Sequence, residues 1–199
     1  MARAKEFDPE TAVDAAMRVF WEKGYQGTSA QDLCDSTGLG RSSIYATFAS
    51  KRALYIRALR RYDAVMAERQ EALLSADVPL AGRLRALLTT VIDDELGDAP
   101  RGCFAVNAAV EFGGRDAQVT ELAERSFQRL RAALRDAIAP ARAAGEVRAD
   151  ADAAVLADYV HAAMNGLRIM ARTTRDRARL TSVADTTLAA LPWAADRAD

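Results

Sequence analysis

Apolar residues return at three- and four-residue intervals along almost the whole chain, and nowhere do they alternate with polar ones over a run rich in β-branched residues. The pattern predicts an all-α fold of about nine helices. The first opens with Asp8 as N-cap and Pro9 at the first helical position, carries the stripe Val13, Ala16, Met17, Phe20, and ends at Gly24 and Gly27. Thr28 and Ser29 can cap a second, Ala30 to Thr37, which buries Leu33 and Cys34 and stops at Gly38. Gly38 and Leu39 alone separate it from a third, about Arg41 to Phe48, capped by Gly40, with Ile44 and Phe48 one turn apart on its inner face. Two short helices joined by a glycine turn make a helix-turn-helix candidate over about 29–48.

Ser50 can cap a longer helix running through Leu54, Leu59, Tyr62, Val65 and Met66 toward Leu74. Pro79 begins the next, with Leu80, Leu84, Leu87, Leu88 and Val91 on one side, and the stretch Leu96 to Gly102 breaks it. Cys103 to Phe112 reads as a short apolar helix stopped by Gly113 and Gly114. Asp116 starts one that carries Val119, Leu122, Phe127, Leu130, Leu134 and Ile138 and is expected to end before Pro140. Asp150 or Asp152 opens another with Val155, Leu156, Tyr159, Val160, Ala163, Met164, Leu167 and Met170, and a last one holds Leu180, Val183, Leu188 and Leu191. The expected organisation is a three-helix N-terminal domain over 1–55, followed by a helical bundle over 56–199.

Composition narrows the function classes. A 199-residue chain that is 50% hydrophobic can bury a full core, and it holds no run approaching the roughly 20 apolar residues of a membrane helix. The start lacks a secretion signal, so a cytoplasmic protein with no membrane partner is the expectation. Cys34 and Cys103 stand far apart without other ligand-type neighbours, which gives neither a disulfide framework nor a metal site. Net charge is only -1, but no acid falls between Asp35 and Asp63, while Arg41, Lys51, Arg52, Arg57, Arg60 and Arg61 all do. The basic charge is local, as an electrostatic footprint for nucleic acid would be.

The candidate chemistry divides cleanly. The "GLGRSS" stretch lacks both the lysine and the preceding strand of a phosphate-binding P-loop. His161, the one histidine, lies in an alanine- and methionine-rich helix with no ligand partner at metal spacing, and without a base no nucleophile can be nominated. No catalytic residue, metal or cofactor is expected. A helix that enters a major groove needs short or polar outer side chains, which Arg41, Ser42, Ser43, Tyr45, Ala46 and Thr47 supply. Thr28 at the start of one helix and Lys51 beside the N-terminus of another can meet backbone phosphates.

These residues also carry a resemblance. "TSAQDLCDSTGLGRSSIYATFASKRAL", Thr28 to Leu54, is similar to the helix-turn-helix signature of the TetR family of transcriptional regulators, and "VFWEKGYQGTS" before it fits the same pattern. The resemblance implies that Thr28, Ser43, Tyr45 and Lys51 touch phosphates, that Arg41, Ser42, Ala46 and Thr47 face bases, and that Gly38, Ile44 and Phe48 are structural. Ala46 and Thr47 stand where the family often places a histidine or second aromatic. Arg52 stands where an acid commonly completes a capping box with Ser50, and an N-terminal arm with only Arg3 and Lys5 is sparse for the minor groove.

The expected protein is therefore a regulator that binds a palindromic operator in double-stranded DNA as a homodimer and is released by an unknown small-molecule effector. One short recognition helix contacts too few base pairs, and two-fold pairing sets two of them about 34 Å apart. The helices from about Asp150 to Leu191 would supply the interface, as the resemblance also implies. Candidate effector-lining residues are Cys103, Phe104, Asn107, Glu111, Phe127 and Met164. Cys103, at a helix start, is either a reactive thiol or a buried one; Asn107 and Glu111, one turn apart, either orient a ligand or cap and solvate their helix. A non-enzymatic helical ligand-binding or scaffold protein with an acidic protein partner is the alternative.

Overall fold

The computed structural model describes residues 8–194, which form nine helices: α1 (Pro9–Gly27), α2 (Ala30–Thr37), α3 (Arg41–Phe48), α4 (Lys51–Leu74), α5 (Leu80–Leu96), α6 (Phe104–Phe112), α7 (Ala117–Ala143), α8 (Ala153–Thr173) and α9 (Arg177–Ala189). Among the described residues the one β feature is an isolated antiparallel bridge between Val147 and Trp193. The helices gather into two compact units that do not follow chain order. The first takes the chain up to Val65 together with Phe104–Glu124; the second takes Met66–Cys103 and the chain from Arg125 on.

In the first unit the helix ends are set by local chemistry. The Asp8 carboxylate accepts from the Glu10 and Thr11 amides at 3.0 and 3.3 Å, starting α1. Gly24 breaks it with φ 73° and ψ 175°, a conformation that a side chain makes costly. Ser29 caps α2 with a reciprocal box: its hydroxyl accepts from the Asp32 amide at 3.1 Å, and Asp32 accepts from the Ser29 amide at 2.7 Å. Gly38, at φ 70°, ends α2 by donating its amide to the Cys34 carbonyl at 2.9 Å. Ala49 turns the chain from α3 into α4 at φ 64°, and the Ser50 hydroxyl accepts from the Ala53 amide at 3.0 Å.

Such short helices bury little area each, and aromatic rings make up the difference. Tyr55 is the hub, with ring centroids 5.1 to 5.4 Å from Phe20, Tyr25, Phe104 and Phe112. Tyr62 lies 4.8 Å from Trp21 and 5.6 Å from Phe104. Val13, Ala16, Leu33, Ile44, Phe48, Leu54 and Leu59 complete this core.

The second unit is aliphatic. Here α5 packs on α8 and α9, and α8 packs on α9. Leu80, Leu84, Leu88, Leu134, Ile138, Val160, Met164, Leu167 and Leu180 are all buried in one cluster. Glu146 supplies the cap that α5 lacks locally, accepting from the Leu80 amide at 2.6 Å. α7 does not end before Pro140. The proline falls in the last turn, where its missing N–H costs one intrahelical bond, and three further residues complete the helix. One carboxylate is poorly served: Glu95 is buried, burial pushes it above the ordinary carboxylate value against the opposing pull of Arg168 and Arg172, and its Oε2 has no hydrogen-bond partner.

Candidate nucleic-acid interface

α3 divides sharply into two faces. Ile44 and Phe48 are buried, whereas Arg41, Ser42, Ser43, Ala46 and Thr47 are exposed and Tyr45 is half-buried. A helix anchored by two large apolar side chains presents its polar side rigidly, which is what reading base edges demands. The Arg41 guanidinium lies over the Tyr45 ring, 5.7 Å from its centroid, an i to i+4 contact that restrains both side chains. The Thr47 hydroxyl donates to the Ser43 carbonyl at 2.9 Å, so its methyl group is the part left facing outward.

Lys51 stands at the first position of α4, where helix amides and a cation concentrate positive potential. Its ammonium sits 4.5 Å from the centroid of the Tyr25 ring, tying the start of α4 to the turn that ends α1.

Thr28 departs from the expected phosphate contact. Its side chain is 1% exposed, and its hydroxyl donates to the Gly24 carbonyl at 2.6 Å, a carbonyl that the positive φ of Gly24 turns toward it. The hydroxyl at the exposed start of α2 belongs to Ser29, held within the capping box. Lys23 joins that box at 2.5 Å from Asp32, and this ammonium, with the Ser29 bonds, holds the Asp32 carboxyl well below the usual carboxylate range.

The local excess of basic charge is partly cancelled in three dimensions. Arg52 grips Asp116 with two bonds of 2.7 and 2.8 Å, Arg57 pairs with Glu10 at 2.5 Å, and Arg61 pairs with Asp14 at 2.7 Å. Three cations that sequence position places beside α3 thus hold the unit together. Arg41 and Lys51 flank the exposed face with aromatic contacts, and Arg57 adds one to its ion pair, its guanidinium 5.1 Å from the Phe48 ring centroid. Arg3 and Lys5 lie outside the described residues.

The six candidate effector-lining residues are divided between the two units. Phe104, Asn107 and Glu111 belong to the first unit, Cys103, Phe127 and Met164 to the second. Phe104 is buried between Tyr55 and Tyr62. The two carboxylate oxygens of Glu111 accept from the Tyr25 and Gln26 amides at 2.8 and 2.7 Å, away from its own helix. Residues 85 and 86 positions apart meet there, which is why no local pattern announces it. Phe127 lies 5.6 Å from the His161 ring, and burial, aided by Arg168, pushes that imidazole below its ordinary value. The second unit has a cleft of about 450 Å³ elsewhere, with Leu74, Ala133 and Ala137 on its apolar side and Glu71, Arg83 and Arg129 among its polar groups. Among the described residues no group of three or more His, Cys, Asp or Glu side chains is arranged to hold a metal, and no helix is long and apolar enough to cross a membrane.

Comparison with known proteins agrees with this geometry. Residues 12–58 match the family described as bacterial regulatory proteins, tetR family, and residues 81–187 match the tetracyclin repressor-like C-terminal domain. The chain is 32% identical over 196 residues to the uncharacterized HTH-type transcriptional regulator YezE of Bacillus subtilis, covering 96% of this chain and all of that one. It is 29% identical to the HTH-type transcriptional repressor ComR of Escherichia coli, over 96% of this chain and 91% of that one. Among solved structures, a cysteine mutant of the TetR family transcriptional regulator CifR, complexed with 26-base-pair operator DNA, superimposes with a TM-score of 0.85 at 28% identity over 96% of this chain and 100% of that one. A helix-turn-helix with one face anchored and the other exposed, followed by a matching C-terminal domain, establishes that the chain belongs to the TetR family and is a DNA-binding transcriptional regulator.

Proposed function

We propose that the chain is a repressor that pairs with a second copy of itself, binds a palindromic operator and leaves it when a small molecule binds. The observation that carries the reading is α3, with Ile44 and Phe48 buried and Arg41, Ser42, Ser43, Ala46 and Thr47 exposed on one short helix. In this reading Arg41, Ser42, Ala46 and Thr47 face bases, and Ser43, Tyr45 and Lys51 meet phosphates; at the start of α2 the Ser29 end replaces the Thr28 side chain in that role. The relatives point the same way, since ComR is a repressor and CifR is held on operator DNA.

The homodimer is supported by α8. Val155, Tyr159, Ala162, Gly166 and Ile169 follow one another at spacings of four and three and are all exposed, with Val155 at 61% and Ile169 at 65%. This is the seam of a helix pair, and the small Ala162 and Gly166 at its centre leave room for close approach; a Cβ on Gly166 would meet nothing within 4 Å. Two copies paired there would carry two α3 helices for two half-sites about one DNA turn apart. The functional division is a reading domain over 1–55 and an effector and pairing domain over 56–199, in a cytoplasmic, non-enzymatic protein.

The test is a gel shift with the DNA upstream of the chain's own gene at several salt concentrations, beside sizing of the free chain. A steep fall of log K with log salt and a dimeric mass support the reading. A monomer with no preference for any duplex over heparin removes it.

A further inference from the structure

We propose that Glu111 is a positioning residue for DNA reading: carried on α6, its carboxylate fixes the turn from which the helix-turn-helix departs. The proposal rests on the assignment of α3 and Lys51 to DNA.

The turn is made to receive an anion. After the positive φ of Gly24, the amides of Tyr25 and Gln26 point to one side in succession, and such paired N–H groups form a concave anion site. Glu111 fills it with one oxygen on each amide, at 2.8 and 2.7 Å. The fit requires glycine twice over. A Cβ on Gly24 would stand 3.0 Å from Glu111 Oε2, and the left-handed backbone there disfavours any side chain. On the opposite side, Thr28 holds the Gly24 carbonyl at 2.6 Å.

The carboxylate is itself held firmly. Arg115 closes the end of α6 by donating to the carbonyls of Phe112 and Glu111 at 3.0 and 2.8 Å, and Phe112 packs 5.4 Å from both Tyr25 and Tyr55. From the clamped turn the restraint passes two ways. The Tyr25 ring bears the Lys51 ammonium, and Ser29, three residues past Gln26, starts α2 and with it the helix-turn-helix. Glu111 touches no surface assigned to DNA, so its influence has to run through the positions of Lys51 and α2.

The sign of the effect separates positioning from bulk electrostatics. Removing a negative charge from the reading unit strengthens attraction to phosphates when charge alone matters. Losing the clamp weakens binding. In Glu111→Gln one oxygen still accepts, but the new amide group faces a backbone donor.

The experiment uses the full-length chain and a duplex that the unaltered chain selects from a random-sequence pool. Glu111→Gln is expected to weaken binding to that duplex roughly tenfold through the coupling of the turn to α2 and Lys51, with the salt slope unchanged because no phosphate contact is lost. Hydrogen exchange of the Tyr25 and Gln26 amides speeds up, and the chain stays folded with a thermal midpoint lower by about 2 to 4 °C. Glu111→Ala, which enlarges the cleft of about 210 Å³ lined by Gln26, Glu111, Phe112 and Arg115, is expected to regain affinity when acetate or propionate replaces chloride at constant ionic strength. The unaltered chain gains nothing from that exchange of anions. Equal or tighter binding by Glu111→Gln, or an altered salt slope, overturns the proposal while leaving the DNA reading intact. A chain that selects no duplex at all sinks the DNA reading and this proposal with it.

Discussion

The two units of this chain solve the problem of burying surface in opposite ways. The first is built from helices as short as eight residues, and it relies on a hub of aromatic rings around Tyr55; ion pairs that reach across the sequence occur in both, Arg52 to Asp116 in the first and Arg177 to Asp93 in the second. The second has longer helices whose leucines and alanines interdigitate in one aliphatic cluster. A reading surface needs side chains held in one geometry, and packed rings are directional. A pairing and effector-binding body benefits from the opposite, since aliphatic contacts are non-directional and tolerate repacking.

The largest expected effect comes from the hub. Phe20 is wholly buried, with its centroid 5.1 Å from Tyr55, so Phe20→Ala is expected to cost about 3 to 5 kcal/mol and to melt the first unit. Leu84→Met, equally buried in the second unit, is expected to cost less than about 1.5 kcal/mol. Thermal unfolding followed by near-ultraviolet circular dichroism compares the two directly. Retention of the first unit's near-ultraviolet signal in Phe20→Ala would mean that the ring hub does not hold that unit together.

Next in size is a substitution in the second unit that leaves the first intact. Gly166→Arg puts a charged side chain at the centre of the exposed α8 stripe, and it is expected to give a folded monomer. Reading two half-sites from one dimer is worth about 10² to 10⁴ in avidity, so operator binding is expected to fall by that order. Sizing and gel shift on the same sample show whether the two losses travel together. A dimer that persists in Gly166→Arg moves the pairing surface elsewhere.

Lys51→Ala sharpens the first unit's half of the comparison. As a phosphate contact it is expected to weaken binding to cognate and scrambled duplex alike, and to make the salt slope shallower by about one. Thr47→Ala is expected instead to lower the preference for cognate over scrambled DNA, since its outward methyl group is suited to a thymine methyl. An unchanged salt slope in Lys51→Ala would take that ammonium out of the interface and leave it as the partner of Tyr25.

How much of this was legible in the sequence follows from range. The end of α2 at Gly38, the cap at Asp8 and the burial of Ile44 and Phe48 all rest on neighbours within four or five residues, and each was readable from spacing. The continuation of α7 past Pro140 is not legible from the proline alone, because a proline in a last turn loses only one bond. Thr28 looked like a surface hydroxyl because its burial depends on the direction of the Gly24 carbonyl, a consequence of one positive φ. The roles of Arg52 and Glu111 were hidden more deeply: their partners lie 64 and more than 80 residues away, and a run of basic residues does not show which members are already paired. Gly24 is the local sign that something approaches the backbone closely there, and it does not say what.

Asp116 offers the smallest and most exacting test, because it separates what a charge pair adds to the first unit from what the rings add. The Arg52 guanidinium, with the amides of Val119 and Gln118, holds its carboxyl down to about 2 from the ordinary 3.8. A carboxylate whose folded value is lowered binds its proton less readily in the folded chain than in the unfolded one. Its contribution is therefore complete above about pH 4 and drains away as the pH falls toward 2. Asp116→Asn removes that dependence while keeping an oxygen that can still accept from the start of α7. The midpoint of the unaltered chain is thus expected to fall further than that of Asp116→Asn between pH 5 and pH 3, with the gap widest at the upper end. Because Arg52 is nearly half exposed, water screens the pair and the gap stays at a few degrees at most. Parallel curves for the two proteins would mean that the grip of Arg52 on Asp116 is an ornament of the surface, and that the rings alone hold the reading unit in shape.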